Sequence, residues 1–247
     1  MFSSTDCIVL EKINKFFGEK QVLNDISLNI PMGSIYGLLG PSGCGKTTTV
    51  KIMAGILSAT SGHTWVLGKE MPNLSLMNNI GYLAQSDALY TSLNGVENLE
   101  FFGKIYGLSG IKLKNRISEV LELVNLKDDL SKPVFAYSGG MKRRLSLAIA
   151  LLHSPKILIL DEPTVGIDPL LRQSIWEELY ALAKSGITIL VTTHVMDEAE
   201  KCMKLSMMRE GIILATGTPS EIVAGANLKN LEEAFIYYSK GGVKIEG

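Results

Sequence analysis

Long apolar runs are missing from this chain. The longest clean one, Leu147 to Leu152, is six residues, far short of the roughly 18 that a bilayer-spanning helix needs. Charge of one sign is missing too: 24 basic and 25 acidic residues leave a net charge of −1, so no bulk field favours nucleic acid or an anionic membrane surface. Cysteine is scarce. Cys7, Cys44 and Cys202 form an odd, scattered set without metal-ligand spacing, which reads as a reduced cytoplasm. The first residues, with polar Ser3, Ser4 and Thr5 before Asp6, lack the basic-then-apolar layout of a signal peptide. No repeat, linker or low-complexity tract interrupts the chain.

What remains is 247 residues, long enough for a substantial core in one large α/β domain or one domain with an inserted lobe. The mean hydropathy of +0.21 fits a sheet buried on both faces, whose strands are continuously apolar. Ile8 to Phe17 and Val22 to Ile30 read as β-rich segments, and Pro31-Met32-Gly33 as a turn. Ile35 to Leu39 is a short buried strand running into a glycine-rich loop, and Lys46 to Gly55 follows with helical character. From residue 93 to about 153 the pattern becomes helical: Ile117, Val120, Leu121 and Val124 share a face, and Leu145 to His153 reads as a buried helix. Strand character returns at Ile157 to Leu160 and Ile187 to Val191, with a helix through Leu171 to Ala183 between them. A hairpin from Leu205 to Thr216 turns at Arg209-Glu210-Gly211.

Residues 40 to 47, Gly-Pro-Ser-Gly-Cys-Gly-Lys-Thr, are a complete phosphate-binding loop in the strand-loop-helix context that the motif requires. Gly40, Gly43 and Gly45 permit strained dihedrals and leave no Cβ between amide and ligand. The helix that follows aims its N–H groups and dipole at phosphate. Lys46 is placed to reach the β- and γ-phosphates, and the Thr47 hydroxyl to ligate Mg²⁺. About ninety positions on, Ser138-Gly139-Gly140 opens an apolar helix. It is a second backbone-rich anion site, of a kind that can close over a nucleotide held by another loop. One of each per chain points to an ATPase that works as a dimer.

Ile157 to Leu160 leads into Asp161-Glu162 at a strand's C-terminal end, where α/β sheets bind ligands. Asp161 is the natural Mg²⁺ partner of such a loop, and Glu162 can accept a proton from attacking water. His194, after Ile187–Val191 and two threonines, stands at another strand end and reads as catalytic; His63 and His153 read as structural or simply exposed. The backbone amide of Cys44, rather than its thiol, is the binding group. Lys142-Arg143-Arg144 reads as a solvated or ion-paired helix face.

In motif order and over nearly its whole length, the chain resembles the nucleotide-binding subunit of ATP-binding cassette transporters. Gly40, Pro41, Ser42, Gly43, Cys44, Gly45, Lys46, Thr47 and Thr48 match the Walker A loop. Phe17 matches the aromatic that stacks on adenine, Gln85 the Q-loop glutamine, and Asp161 and Glu162 the Walker B aspartate and catalytic glutamate. Gly166-Ile167-Asp168-Pro169 matches the D-loop, His194 the switch histidine, and Tyr137-Ser138-Gly139-Gly140-Met141 the family signature. The usual signature is Leu-Ser-Gly-Gly-Gln, so two of five places depart while the Ser-Gly-Gly core is intact. The resemblance implies an α/β P-loop NTPase core with a mainly parallel sheet, an N-terminal antiparallel β portion and an inserted helical subdomain. The core lobe would span about 1–87 and 156–225, the helical subdomain about 88–155, and a short C-terminal extension 226–247.

The family implies ATP and Mg²⁺ as ligands, with Thr47, Gln85 and Asp161 serving the metal. It implies catalysis by Glu162, His194, Lys46 and Gln85, and Ser138, Gly139, Gly140 and Asp168 acting from the second subunit. It also implies an ATP-bound homodimer, or a pair with a homologous subunit, docked from the cytoplasm on an integral membrane permease at the inner face of the cell membrane. Leu89, Tyr90 and Leu93 would line the groove for a permease helix. The tracts 137–144 and 161–169 are most similar to the ABC-2-type export branch. The alternative is a soluble repair or ribosome-associated ATPase without a permease; the first carries a long inserted coiled coil and the second two cassettes per chain, and neither occurs here.

Overall fold

The computed structural model describes residues 6–86, 88–126 and 130–242. Two compact units make up the chain, Met1–Leu76 with Thr188–Gly247, and Met77–Ile187. Asp87 of the expected docking segment and residues 243–247 of the C-terminal extension lie outside the described residues.

In the first unit, β1 (Asp6–Phe17) and β2 (Lys20–Pro31) pair antiparallel, and β1 also pairs with β4 (Ser61–Val66), which carries the short β5 (Lys69–Glu70). In β2, Ile26, Leu28 and Ile30 are buried while Ser27 and Asn29 are exposed, the period-two pattern of a sheet with one wet face. A second sheet runs in the order β10 (Ile212–Gly217), β9 (Lys204–Arg209), β3 (Ile35–Leu39), β8 (Thr188–Thr193). Both neighbours of β3 run parallel to it. Every residue of β3 and β8 is buried, as strands covered on both faces require. The β9–β10 hairpin turns through Glu210 (φ +50°) and Gly211 (φ +78°), the paired positive dihedrals of a tight right-twisting hairpin. At Gly211 a Cβ would meet the Val22 carbonyl oxygen at 2.4 Å. Helix α1 (Lys46–Met53) follows β3.

The second unit pairs β6 (Ile80–Leu83) and β7 (Ile157–Asp161) in parallel and carries α2 (Gly95–Ile105), α3 (Gly110–Leu123), α4 (Gly139–Leu151) and α5 (Pro169–Lys184). Helix starts are set by local chemistry. Asn94 and Glu97 form a reciprocal capping box on α2, Ser138 caps α4, and Asp168 caps α5 with Pro169 at its first turn, each satisfying amides that the helix leaves unpaired. At the other end of α4, Arg116 donates to the carbonyls of Leu152 (3.0 Å) and Leu151 (2.5 Å). His153 stacks on Tyr106 with ring centroids 4.0 Å apart and lies 3.0 Å from the Ile80 carbonyl; burial holds its imidazole below the usual pKa. Helix α6 (Met196–Ala199) belongs to the first unit, as do α7 (Pro219–Gly225) and α8 (Leu231–Ser239) after the hairpin.

The sequence pattern finds β1, β2, β3, β7, β8, the hairpin and α5 to within a few residues. Strand β4 has no apolar alternation strong enough to mark it, since Ser61, Gly62 and His63 are all exposed. Among the described residues, no helix is long and apolar enough to cross a membrane. Cys7, Cys44 and Cys202 are buried, and none of the three is in a disulfide.

Candidate functional site

The glycine loop between β3 and α1 is built for close approach of a ligand to backbone. A Cβ at Gly40 would lie 2.2 Å from the Met208 carbonyl oxygen and 2.7 Å from Cys44 Sγ, so the chain can pass there only as glycine. Gly43 (φ +79°) and Gly45 (φ +112°) take dihedrals that side chains resist. Pro41, Ser42 and Gly43 are exposed, while Thr47 and Thr48 are half-buried. No side chain caps the start of α1, which leaves amides and the positive end of the helix dipole available to an anion. Lys46 is 4% exposed. Its Nζ donates to the carbonyls of Gly40 (2.7 Å) and Pro41 (3.1 Å), so the loop holds the ammonium at its own centre. A cation ringed by amides and glycines is an anion receptor.

Elsewhere in this unit, Phe17 ends β1 with half its ring surface exposed (51%), and Lys15 Nζ sits 5.1 Å from the ring centroid. His194 follows β8 and is exposed. The turn that carries it is set by Thr193, whose Oγ1 donates to Glu198 Oε2 (2.6 Å) and accepts from the Val195 amide (3.0 Å).

In the second unit, β7 delivers Asp161 (1% exposed) and Glu162 (8% exposed) at its C-terminal end. Glu162 sits at φ +49°, a left-handed conformation uncommon for a side chain of its size. Gln85, just past β6, donates from Nε2 to Glu162 Oε2 at 3.1 Å. The fold thus joins two residues 77 positions apart that the family resemblance matches to separate motifs. Tyr82 on β6 was not among the expected site residues; burial, and secondarily the Asp161 carboxylate, push its phenol up to about 12, so it stays a neutral hydroxyl.

The Ser-Gly-Gly tract opens α4. Ser138 accepts from the Met141 amide at 3.2 Å, which leaves its hydroxyl proton available to a ligand. Gly139 is exposed, with nothing within 4 Å of where a Cβ would be; at Gly140 a Cβ would meet Leu171 at 2.3 Å. Asp168 accepts from the Leu171 amide at 3.0 Å, so as the α5 cap it has a structural role of its own. One expectation is corrected outright. Arg143 is not on a solvated helix face: it is 6% exposed, and its guanidinium donates to the carbonyls of Ala84, Asp161, Glu162 and Pro163.

The apolar segment expected to meet a partner continues onto α2. Tyr90 packs edge-on against Phe101 of α2 (centroids 4.7 Å), which in turn meets Phe102 edge-on (5.3 Å). Tyr90, Phe101 and Ile105 all remain exposed, while Leu89 and Leu93 are half-buried. The buried Asn98 amide brackets Tyr90, accepting from its N–H (2.9 Å) and donating to its carbonyl (3.0 Å).

The ABC transporter family model matches residues 23–165. Among curated relatives, the probable multidrug ABC transporter ATP-binding protein YbhF of Escherichia coli (strain K12) is 40% identical over 236 residues, covering 93% of this chain and 41% of its own length. The Nod factor export ATP-binding protein I of Cupriavidus pinatubonensis is 39% identical over 222 residues, covering 89% of this chain and 68% of its own length. This chain therefore spans less than half of the first relative. Among solved structures, the dimeric cassette MJ0796 in a post-hydrolysis state bound to ADP and Pi is 25% identical with a TM-score of 0.79, covering 85% of this chain and 98% of that one. The glycine loop, the carboxylate pair at the end of β7 and the Ser-Gly-Gly helix start all fall within the matched span, and the chain belongs to the ABC transporter family as an α/β P-loop ATPase cassette.

Proposed function

We propose that this chain is the ATP-binding and ATP-hydrolysing subunit that powers a membrane permease in an export system. The observation that carries the ATPase reading is the Lys46 ammonium enclosed by its own glycine loop at an uncapped helix start. Phosphate oxygens would replace the Gly40 and Pro41 carbonyls as partners of Lys46, and the loop amides would hold the β- and γ-phosphates. Phe17 stacks on adenine. Thr47, Gln85 and Asp161 offer hydroxyl, amide and carboxylate oxygens, a hard donor set that fits Mg²⁺. When bound, that ion neutralises charge on the phosphates and orients them for in-line attack.

Glu162 takes the proton of the attacking water, Gln85 orients the Glu162 carboxylate through the bond it already makes, and His194 hydrogen-bonds the γ-phosphate side of the site. Ser138, Gly139 and Gly140, with Asp168, act on the nucleotide of a second copy or a homologous subunit. The exposed Tyr90–Phe101 cluster receives a short helix of the permease, an apolar and aromatic anchor set of the kind used in helix-in-groove docking. Export, rather than import, is supported by the name of the Cupriavidus relative. The subunit would then work at the cytoplasmic face of the membrane through its permease.

The test is Glu162→Gln. It should retain ATP binding, lose roughly 10²–10⁴-fold in turnover, and accumulate an ATP-bound dimer in sizing or light scattering. Hydrolysis near the wild-type rate would remove Glu162 from the role of general base.

A further inference from the structure

Arg143 lies in the second turn of α4, the helix that Ser138 begins, and it is buried. Its Nε donates to the Pro163 carbonyl at 2.8 Å, Nη1 to Ala84 at 2.6 Å, and Nη2 to Asp161 at 2.8 Å and Glu162 at 2.9 Å. These four acceptors are all backbone. Three of them are consecutive carbonyls, so the chain at the end of β7 is wrapped around the guanidinium. The middle one belongs to Glu162, the residue held at φ +49°. An L residue of this size persists in the left-handed region only where its surroundings over-determine it, and three successive carbonyls gathered on one cation do that. The fourth acceptor, Ala84, directly precedes Gln85, whose side chain donates to the Glu162 carboxylate. One guanidinium thus fixes the backbone on both sides of the Gln85–Glu162 contact.

We infer that Arg143 is a positioning residue for hydrolysis, which holds the Glu162 turn left-handed and the carboxylate within reach of Gln85, and so acts on the reaction only through Glu162. The inference rests on Glu162 being the general base. A planar five-donor fork is what the geometry demands. Lysine offers the same charge from a single nitrogen and cannot serve acceptors arranged around a plane. Without the fork, Glu162 relaxes toward ordinary dihedrals and its side chain swings away from Gln85. The phosphate-binding residues of the 40–48 loop are untouched by this change, so nucleotide affinity and turnover separate.

The experiment is a double-mutant cycle on the purified full chain, with Arg143→Lys, Glu162→Gln and both together. Single-turnover hydrolysis is measured beside equilibrium binding of a fluorescent ATP analogue and thermal unfolding. Arg143→Lys should lower the hydrolysis rate by about 10–100-fold with binding changed less than about threefold, and should lower the residual rate of Glu162→Gln by less than about twofold. Arg143→Ala should behave alike and regain part of its rate in millimolar guanidinium, which restores the fork without the tether. A full multiplicative loss in the Glu162→Gln background, an unchanged rate in a folded Arg143→Lys, or loss of fold in both Arg143 variants would overturn the inference. If Glu162→Gln alone hydrolyses like wild type, the general-base reading falls and the positioning role falls with it. If Glu162→Gln is slow but Arg143 acts independently of it, only the positioning role is lost.

Discussion

Glu178 gives the sharpest prediction about stability. It sits on α5, lining a cavity of about 70 Å³ with Leu123, Val124, Leu147, Leu151 and Leu182. Oε2 is buried with no hydrogen-bond partner, and Oε1 accepts only a long bond from Ser174 Oγ at 3.4 Å. Burial raises its pKa from 4.5 to about 7, opposed by the Arg144 guanidinium and Ser174 and reinforced by Glu177. The folded state therefore binds this proton more tightly than the unfolded chain does. The stability this supplies is present below pH 4.5, is lost as pH rises through 7, and stays lost above it. At 1.36 kcal/mol per unit the shift corresponds to about 3.4 kcal/mol; the side chain is partly exposed, and solvent screening brings that to about 1–2 kcal/mol. Glu178→Leu removes the ionisation penalty and adds apolar surface against the cavity, about 1 kcal/mol more. Urea unfolding at pH 5 and pH 8 should show the variant more stable than wild type, with its advantage growing by about 1 kcal/mol between the two. Glu178→Gln, which keeps the shape and removes the charge, should reproduce the growth with pH but not the packing gain. An advantage that is the same at both pH values would refute the reasoning.

Two predictions concern assembly. If sites are shared, Lys46→Ala and Ser138→Arg proteins, each nearly inactive alone, should regain ATPase activity when mixed, because the heterodimer rebuilds one intact site; a mixture no more active than the sum of its parts would refute sharing. Tyr90→Asp with Phe101→Asp should abolish co-purification with the permease while fluorescent ATP-analogue binding stays within about twofold of wild type, and a retained complex would place the docking surface elsewhere.

The core was legible because its strands announce themselves. Ile35–Leu39, Ile157–Leu160 and Ile189–Val191 are unbroken apolar runs, and all are fully buried. The phosphate loop was legible for a related reason. Its chemistry demands glycine at positions where a Cβ would collide or a dihedral would strain, as at Gly40 and Gly45, and that demand is written in residue type. Strand β4 escaped because three of its six residues are exposed and one is glycine. The aromatic cluster was half-seen. Tyr90 and Phe101 are eleven positions apart, and the turn bracketed by Asn98 brings Tyr90 back against α2.

Arg143 shows why the rest was hidden. A run of Lys142-Arg143-Arg144 looks the same whether its cations meet water, carboxylates or backbone, since sequence records donors but never says which carbonyls converge. Position on a helix narrows the choice: in α4, Leu145 to Ala148 are all buried, and Arg143 lies four residues before Leu147, on the same face. An arginine on the apolar face of a helix must find acceptors there, since a buried guanidinium left unpaired is very costly. The acceptors must in turn come from chain that is not already paired in a sheet or helix. The residues past a strand's C-terminal end supply such carbonyls, and in α/β folds that is where catalytic side chains also stand. A buried arginine that gathers successive backbone carbonyls beside a strand end is thus a structural mark of a turn held in one conformation. Here that turn is Glu162.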